Sequence, residues 1–255
     1  VKIHVLIPAR LESTRFPKKM LADLFGKPLI VRTAEQVQTA FPQLSIYIAT
    51  DSDAIAQAIP RPFNVIRTPA DCPSGTDRIF KAACTLSPRD EDLIINVQGD
   101  EPLIPLEVLR GTLDILQNSN ADMATAGSPF GKATDLELES YVKVLSTLPT
   151  KVNPEPIALD FRRTIPKDWS NRFQEHQTEI LHHIGIYGFR FESLNRFCKT
   201  PPTQRETAEK LEQLRAVELG FKIGIFKHRV PAPPGVDRPE DLEYILSEFK
   251  QKAHL

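Results

Sequence analysis

The segment 93–97, Leu-Ile-Ile-Asn-Val, is apolar at every position but one and does not alternate. A strand with one face in water alternates polar and apolar residues. A strand without alternation has both faces covered, the signature of a parallel sheet lined by helices on either side. Similar runs lie at 3–7, 44–49 and 63–67. Between them come helical patterns at 29–40, at 53–59 (stopped by Pro60 and Pro62), at 77–86 and at 106–117. This alternation predicts a doubly wound α/β fold with a mostly parallel sheet. Ligands of such sheets sit beyond the carboxyl ends of the strands. The segments after Ile7, Thr50 and Val97 are therefore where chemistry is expected.

The second half is less regular. Strands are predicted at 123–126, 142–145, 184–189 and 223–226, and one long helix at 206–219, with Leu211, Leu214 and Val217 on one face. A closing helix at 239–249 starts on Pro239, a residue suited to a first helical turn. The polar, proline-bearing stretch 149–177 is expected to form a long loop or flap.

Composition narrows the function classes. The 255 residues correspond to between one and two domains at roughly 150 residues each. A net charge of -1, from 32 Lys and Arg against 33 Asp and Glu, argues against a bulk nucleic-acid binder. Cys72, Cys84 and Cys198 are few and far apart, which fits a reducing compartment and excludes a disulfide framework or a structural zinc site. The apolar N-terminal run is much shorter than the ~20 residues that span a bilayer, and it lacks the layout of a secretory signal. A cytoplasmic protein with no membrane and no nucleic-acid partner is expected.

Three constellations carry chemistry. The loop after the first strand, Ala9 to Lys19, holds Arg10, Ser13, Thr14, Arg15, Lys18 and Lys19. Such a loop suits a polyphosphate, unless it is an ordinary solvated charge run. It is neither a Walker A loop nor a dinucleotide fingerprint. The second is Gln98-Gly99-Asp100-Glu101, with two carboxylates at a strand end. These suit a hard cation beside phosphates, or a helix cap; position alone leaves both open. The third is Gly235-Val236-Asp237-Arg238-Pro239, where Asp237 is most simply a helix N-cap. Ser74-Gly75-Thr76-Asp77-Arg78 enters a helix. His182 and His183 precede a strand run, so at most one of them faces a given site.

Taken in order, IPARLESTRFPKK, SGTDR, VQGDEP, HHIGIYGFR, LEQLR and GVDRPEDL resemble the 3-deoxy-manno-octulosonate cytidylyltransferases, and they cover nearly the whole chain. The resemblance implies a Rossmann-like three-layer nucleotidyltransferase fold. Its nucleotide-binding core would be mainly 1–120, its sugar-binding and dimerisation part mainly 121–225, and 226–255 would return to the core. It also implies a homodimer, and transfer of CMP from CTP to a 2-ulosonic acid with release of pyrophosphate, for lipopolysaccharide biosynthesis. Lys19, Arg10 and Asp100 would be catalytic. Ala9, Arg10, Ser13, Thr14, Arg15, Lys19, Ser74, Thr76 and Arg78 would surround the nucleotide. Asp100 and Asp237 would hold Mg²⁺. Gln98, Asp160, Arg163, His183, Tyr187, Glu212 and Gln213 would face the sugar. LEQLR and GVDRPEDL argue against relatives acting on sialic acid or molybdopterin. Retention of Arg10, Lys19, Asp100 and Asp237 argues against a non-catalytic nucleotide binder.

The departures from that family cluster on the sugar side. Glu139-Ser140-Tyr141 replaces an Asn-containing segment, and Asp160 stands where an aromatic is usual. Lys18 and Cys72 replace a glycine and a histidine. A changed sugar, 8-amino-3,8-dideoxy-manno-octulosonate, is favoured over the plain acid, because an added carboxylate at Asp160 or Glu139 would pair with its ammonium. Drift in a loop is the competing account.

Overall fold

The computed structural model describes residues 1–13, 15–150, 155–165 and 178–253, with side chains through 247. The expectations for Thr14 and for 151–154 and 166–177 of the expected flap lie outside these residues. The contacts divide the chain into two compact units: 2–88, 96–106 and 233–255 in one, and Val1, 89–95 and 107–232 in the other. Each is described by itself.

In the unit that carries the N-terminal strand, β1 (Ile3–Ala9), β2 (Ile46–Thr50), β3 (Asn64–Arg67) and the end of β4 (Leu93–Val97) take the order β3-β2-β1-β4. β1 pairs with β2, and β2 with β3, in parallel, with Ile7 opposite Ile48. Helix α1 (Leu29–Ala40) buries Leu29, Ile30, Val31, Ala34 and Val37. Helix α2 (Asp53–Ala58) is capped by Ser52 and α3 (Gly75–Cys84) by Ser74, whose hydroxyls accept N–H groups that a helix start leaves unsatisfied. The last helix of the unit, which we number α8, is Pro239–Ala253. An apolar cluster of Leu24, Leu29, Leu103, Val236 and Ile245 fixes the segment just before it.

The other unit places the start of β4 in the order β4-β8-β5-β9, with β5 (Met123–Ser128), β8 (Thr178–Arg190) and β9 (Ile223–Lys227). β5 and β9 are parallel, whereas β8 runs antiparallel to β5 and to β6 (Lys143–Thr147). A further antiparallel strand, β7 (Ala158–Arg162), pairs with β6. Helix α4 (Leu106–Asn118) lies close to β9, because a Cβ on its Gly111 would sit 2.0 Å from the Phe226 ring. Helix α5 (Phe191–Lys199) follows β8 directly and buries Leu194 and Phe197.

Three sequence expectations are corrected. The stretch expected as one loop from 149 contains β7, whose Ala158, Asp160 and Phe161 are buried; its proline and charged residues masked the pattern. The single helix expected at 206–219 is two, α6 (Gln204–Glu209) and α7 (Gln213–Glu218), separated by Lys210 at φ 53°. Burial of Leu211, Leu214 and Arg215 with Glu206 outweighs the helical propensity that would carry one helix through. Helix α5 was not anticipated at all, since its apolar positions are only three residues and Phe191 follows strand-like sequence.

Candidate active site

The loop that leaves β1 carries the expected cations, and two of them, Arg15 and Lys19, converge on Asp237. Ala9, the last residue of β1, is fully buried and lies opposite Thr50. Arg10 follows at once, and its Nη2 is buried without a hydrogen-bond partner among the described residues. An unpartnered buried guanidinium nitrogen calls for an anion that the protein itself does not supply. Ser13 is half-buried and Arg15 exposed. Lys18 adopts a left-handed conformation at φ 56°, which turns the chain into the short 3-10 segment Lys19–Leu21.

Lys19 is 6% exposed, and its ammonium is the centre of the charge arrangement. Its Nζ donates to Asp100 Oδ2 at 2.6 Å and to the Val236 carbonyl at 2.7 Å, and lies 3.6 Å from Asp237 Oδ1. Asp100 reaches it because Gly99 has no side chain: a Cβ there would meet Ile30, the Pro8 carbonyl and Met20 at 3.0–3.1 Å. Thr33 then pins the Gly99 carbonyl at 2.8 Å. The Val236 N–H donates to the Asp100 carbonyl at 2.9 Å, tying the two carboxylate-bearing segments together.

Asp237 is not the helix cap that its position suggested. Asp241, in the first turn of α8, reaches back to accept the N–H groups of Asp237 and Arg238 at 2.8 and 2.7 Å. The Asp237 carboxylate is free to pair with Arg15 Nη1 at 2.5 Å as well as to approach Lys19. Beside them, burial and then the Asp100 charge push the Glu101 carboxyl up to about 8, against the pull of Lys19. Among the described residues no group of three or more His, Cys, Asp or Glu forms a metal cage. Two aspartates already gathered about one cation are nonetheless a donor set that fits Mg²⁺, which commonly takes one or two carboxylates and completes its shell with phosphate oxygens and water.

The SGTDR residues frame this region. Ser74 Oγ accepts the Asp77 N–H at 3.0 Å, so it is an N-cap. Thr76 is fully buried and accepts from Asn96 Nδ2 at 3.3 Å. Arg78, 1% exposed, donates to Thr68 Oγ1 and pairs with Asp51 at 3.1 Å, which absorbs its charge inside the unit. Gln98 is half-buried at the end of β4. Cys72 is buried and its thiol is pushed up by that burial, which makes it a poor nucleophile.

Apart from Gln98, the residues expected on the sugar side belong to the other unit. As strand alternation requires, His182 and His183 take opposite directions. His182 packs against Tyr141 and Phe130, with ring centroids at 4.6 and 5.8 Å. His183 stacks on Tyr187 at 5.6 Å and meets Phe161 edge-on. Burial first, then His182, lowers His183 to about 3, so it is neutral near pH 7. Thr125 Oγ1 gives its one proton to the Ile186 carbonyl at 2.7 Å and contacts His183 Nε2 at 2.9 Å. That assigns the ring proton to Nε2 and leaves Nδ1 as an acceptor. Tyr187 Oη donates to Gln213 Oε1 at 3.2 Å, and burial followed by the Glu212 charge raises the Tyr187 phenol well above its ordinary value.

Arg163 and Asp160 are used differently from what was expected. The Arg163 guanidinium donates to three backbone carbonyls, Glu209 at 2.8 Å and Glu139 and Lys210 at 3.2 Å. Asp160 is 7% exposed, with Arg205 at 2.6 Å and Arg162 at 3.2 Å. Sequence reasoning missed Lys143, fully buried, whose Nζ donates to the carbonyls of Leu138 and Arg163 at 2.6 and 2.7 Å. A lysine inside the apolar run Val142-Lys143-Val144-Leu145 was the available signal. It also missed the buried pair of Arg215 with Glu206, bidentate at 2.5 and 2.8 Å.

No helix among the described residues is long and apolar enough to cross a membrane. A family model described as cytidylyltransferase matches residues 4–223. A 3-deoxy-manno-octulosonate cytidylyltransferase of Francisella philomiragia is 41% identical over 98% of this chain and 99% of its own length. The 3-deoxy-manno-octulosonate cytidylyltransferase 2 of Paraburkholderia phytofirmans is 39% identical over 94% and 91%. Among solved structures, CMP:2-keto-3-deoxy-manno-octonic acid synthetase complexed with CTP superposes with a TM-score of 0.82 at 31% identity, covering 99% of this chain and 100% of that one. A cytidylyltransferase from Leptospira borgpetersenii, at 18% identity, TM-score 0.63 and coverage of 98% and 87%, shares the fold. With the family match spanning 4–223 and relatives 39–41% identical along almost their full lengths, the chain belongs to the cytidylyltransferases, in the 3-deoxy-manno-octulosonate branch, and is a CTP-dependent nucleotidyltransferase.

Proposed function

We propose that this chain joins CTP to a sugar acid of the 3-deoxy-manno-octulosonate class, giving the CMP-sugar and pyrophosphate as a step toward lipopolysaccharide. The observation that carries the reading is the buried Lys19 ammonium set between Asp100 and Asp237, in the unit where Arg10 keeps an unpartnered buried nitrogen. The anomeric 2-hydroxyl oxygen attacks the α-phosphorus in line, the bond to the bridging oxygen of the β-phosphate breaks, and pyrophosphate leaves. Such transfers are driven mainly by positioning and by cations at the phosphate oxygens. Arg10, Arg15 and Lys19 supply that charge, with Ala9 and Ser13 lining the loop. Ser74, Thr76 and Arg78 hold the frame around the cytidine. Asp100 and Asp237 would hold Mg²⁺, which would supply further positive charge for the phosphates and could lower the pKa of the attacking hydroxyl.

On the sugar side, His183 Nδ1 accepts from a sugar hydroxyl, and Tyr187, Glu212 and Gln213 offer further polar contacts. Arg163 serves these residues by holding the carbonyls that precede Glu212. The family resemblance supports action as a homodimer. The plain acid is the reading supported by the names of the relatives and by Asp160, whose carboxylate already faces two guanidinium groups. The departures at Glu139 and Asp160 support the 8-amino acid as the second reading. Pyrophosphate release with Mg²⁺ and CTP, run in parallel on both sugars, tests all of this. Release with either sugar supports the reaction class, and the ratio of kcat/KM values assigns the sugar. No release with either sugar would refute the sugar-acid reading.

A further inference from the structure

Lys19 stands where a cation is wanted by the same two aspartates that fit Mg²⁺. Its ammonium is 2.6 Å from Asp100 Oδ2 and 3.6 Å from Asp237 Oδ1, and the Val236 carbonyl fixes it from a third side at 2.7 Å. Only 8% of the side chain is exposed, so water screens these contacts poorly. Two carboxylates and one ammonium leave one net negative charge, which Arg15 at Asp237 offsets, so the set is balanced before any ligand arrives. A divalent cation must displace that ammonium to gain the full field of both aspartates. An ammonium displaced there needs another anion, and the established co-substrate is a triphosphate.

We propose that Lys19 is a built-in competitor of the divalent metal, so that the metal binds the free enzyme weakly and binds well once CTP phosphate has drawn the ammonium away. This rests on the proposed assignment of Asp100 and Asp237 as metal ligands and of Lys19 as a phosphate contact. The coupling is reciprocal by linkage: whatever factor CTP gains for the metal, the metal gains for CTP. Arg15, which pairs with Asp237 at 2.5 Å from an exposed position, adds a second and weaker hold on the same carboxylate.

The test is Mn²⁺ binding to the whole protein without nucleotide, read by electron paramagnetic resonance. Lys19→Gln keeps an N–H donor for the Val236 carbonyl and removes the charge. It is expected to bind Mn²⁺ at least about tenfold more tightly than the wild type, and adding Asp100→Asn is expected to abolish the gain. Equal or weaker binding by Lys19→Gln overturns the proposal, as does a gain that survives loss of Asp100. Should the variant misfold, the wild type serves. The rate of reductive methylation at Lys19, read by peptide mass spectrometry, is expected to rise severalfold on saturation with Mg²⁺, and an unchanged rate overturns the proposal. Neither measurement involves turnover or a sugar, so the pyrophosphate assay can fail independently of them.

Discussion

Both units bury cations, and they use them in opposite ways. Around Lys19 the partners are carboxylates, Asp100 and Asp237, with Glu101 crowded beside them. Around Lys143 and Arg163 the partners are neutral backbone carbonyls, five in all across the two side chains. An ammonium held by carboxylates can be traded for another cation, because the anions still gain from the exchange. A cation spread over carbonyls has no such substitute, and removing it leaves several buried acceptors unsatisfied. The first arrangement suits a site that takes in a metal and a polyphosphate. The second fixes the backbone: Arg163 holds the end of α6 just before Glu212 and Gln213. The histidines follow the same contrast, since His182 and His183 are kept neutral by burial rather than charged.

The largest expected effect falls on the exchangeable side. Asp100→Asn should lower the rate of pyrophosphate release by on the order of 10²–10³-fold, the range for loss of a group that organises charge in the transition state. Thermal melting should shift by only a few degrees, since Asp100 is partly exposed and its amide can still accept from Lys19. A melting loss as large as the loss of turnover would remove the distinction between the two sides.

The fixed side should answer mainly in stability. Glu206→Gln leaves the Arg215 guanidinium, with a side chain 2% exposed, without its carboxylate. Breaking such a buried pair is expected to cost about 3–5 kcal/mol in urea unfolding. A cost below about 1 kcal/mol would place that pair with ordinary surface ion pairs.

Acid should act through the neutral histidines. Burial, then Lys143, lowers His182 to about 4 from an ordinary 6.5. The unfolded chain therefore binds this proton more tightly than the folded one. The stabilisation is complete above about pH 6.5 and is lost as the pH falls toward 4. Between pH 7.5 and 5 it should cost the wild type about 2 kcal/mol that His182→Phe, which keeps a ring against Tyr141, does not lose. Parallel pH profiles for the two proteins would contradict a buried neutral ring.

The smallest effect separates positioning from contact. Arg163→Ala should raise the KM for the sugar acid about tenfold and leave the KM for CTP unchanged, roughly 1.4 kcal/mol. In a Gln213→Ala background most of that effect should vanish, because Arg163 acts through the residues after α6. Full additivity would show instead that Arg163 touches the sugar itself.

Much of this was legible beforehand, for identifiable reasons. The strands β1, β2 and β4 announced themselves because burial on both faces forces continuous apolar runs, whereas the edge strand β3 is only partly buried. The helices α1 and α4 did so through their periodicity. Strand β7 hid because its buried positions include Asp160, and α5 hid because it is short. The break between α6 and α7 was invisible because no glycine or proline marks Lys210, and only packing of Leu211, Leu214 and the Glu206–Arg215 pair requires it. The motif residues Arg10, Lys19, Asp100 and Asp237 were picked out at once. Their geometry was not: Asp237 read as a helix cap, whereas its carboxylate pairs with Arg15 and approaches Lys19.

The sequence by itself determined the α/β class, the strand–helix alternation of the first half and the family, because each depends on local periodicity or on short ordered motifs. Tertiary structure decided who partners whom. Lys19 lies 81 residues from Asp100 and 217 from Val236, and nothing in either neighbourhood says that one ammonium will serve both. That Arg163 would serve carbonyls and Lys19 carboxylates follows from what each meets on burial. Burial makes the pairing of Lys19 obligatory, since its charge cannot be left without partners in a medium poor in water.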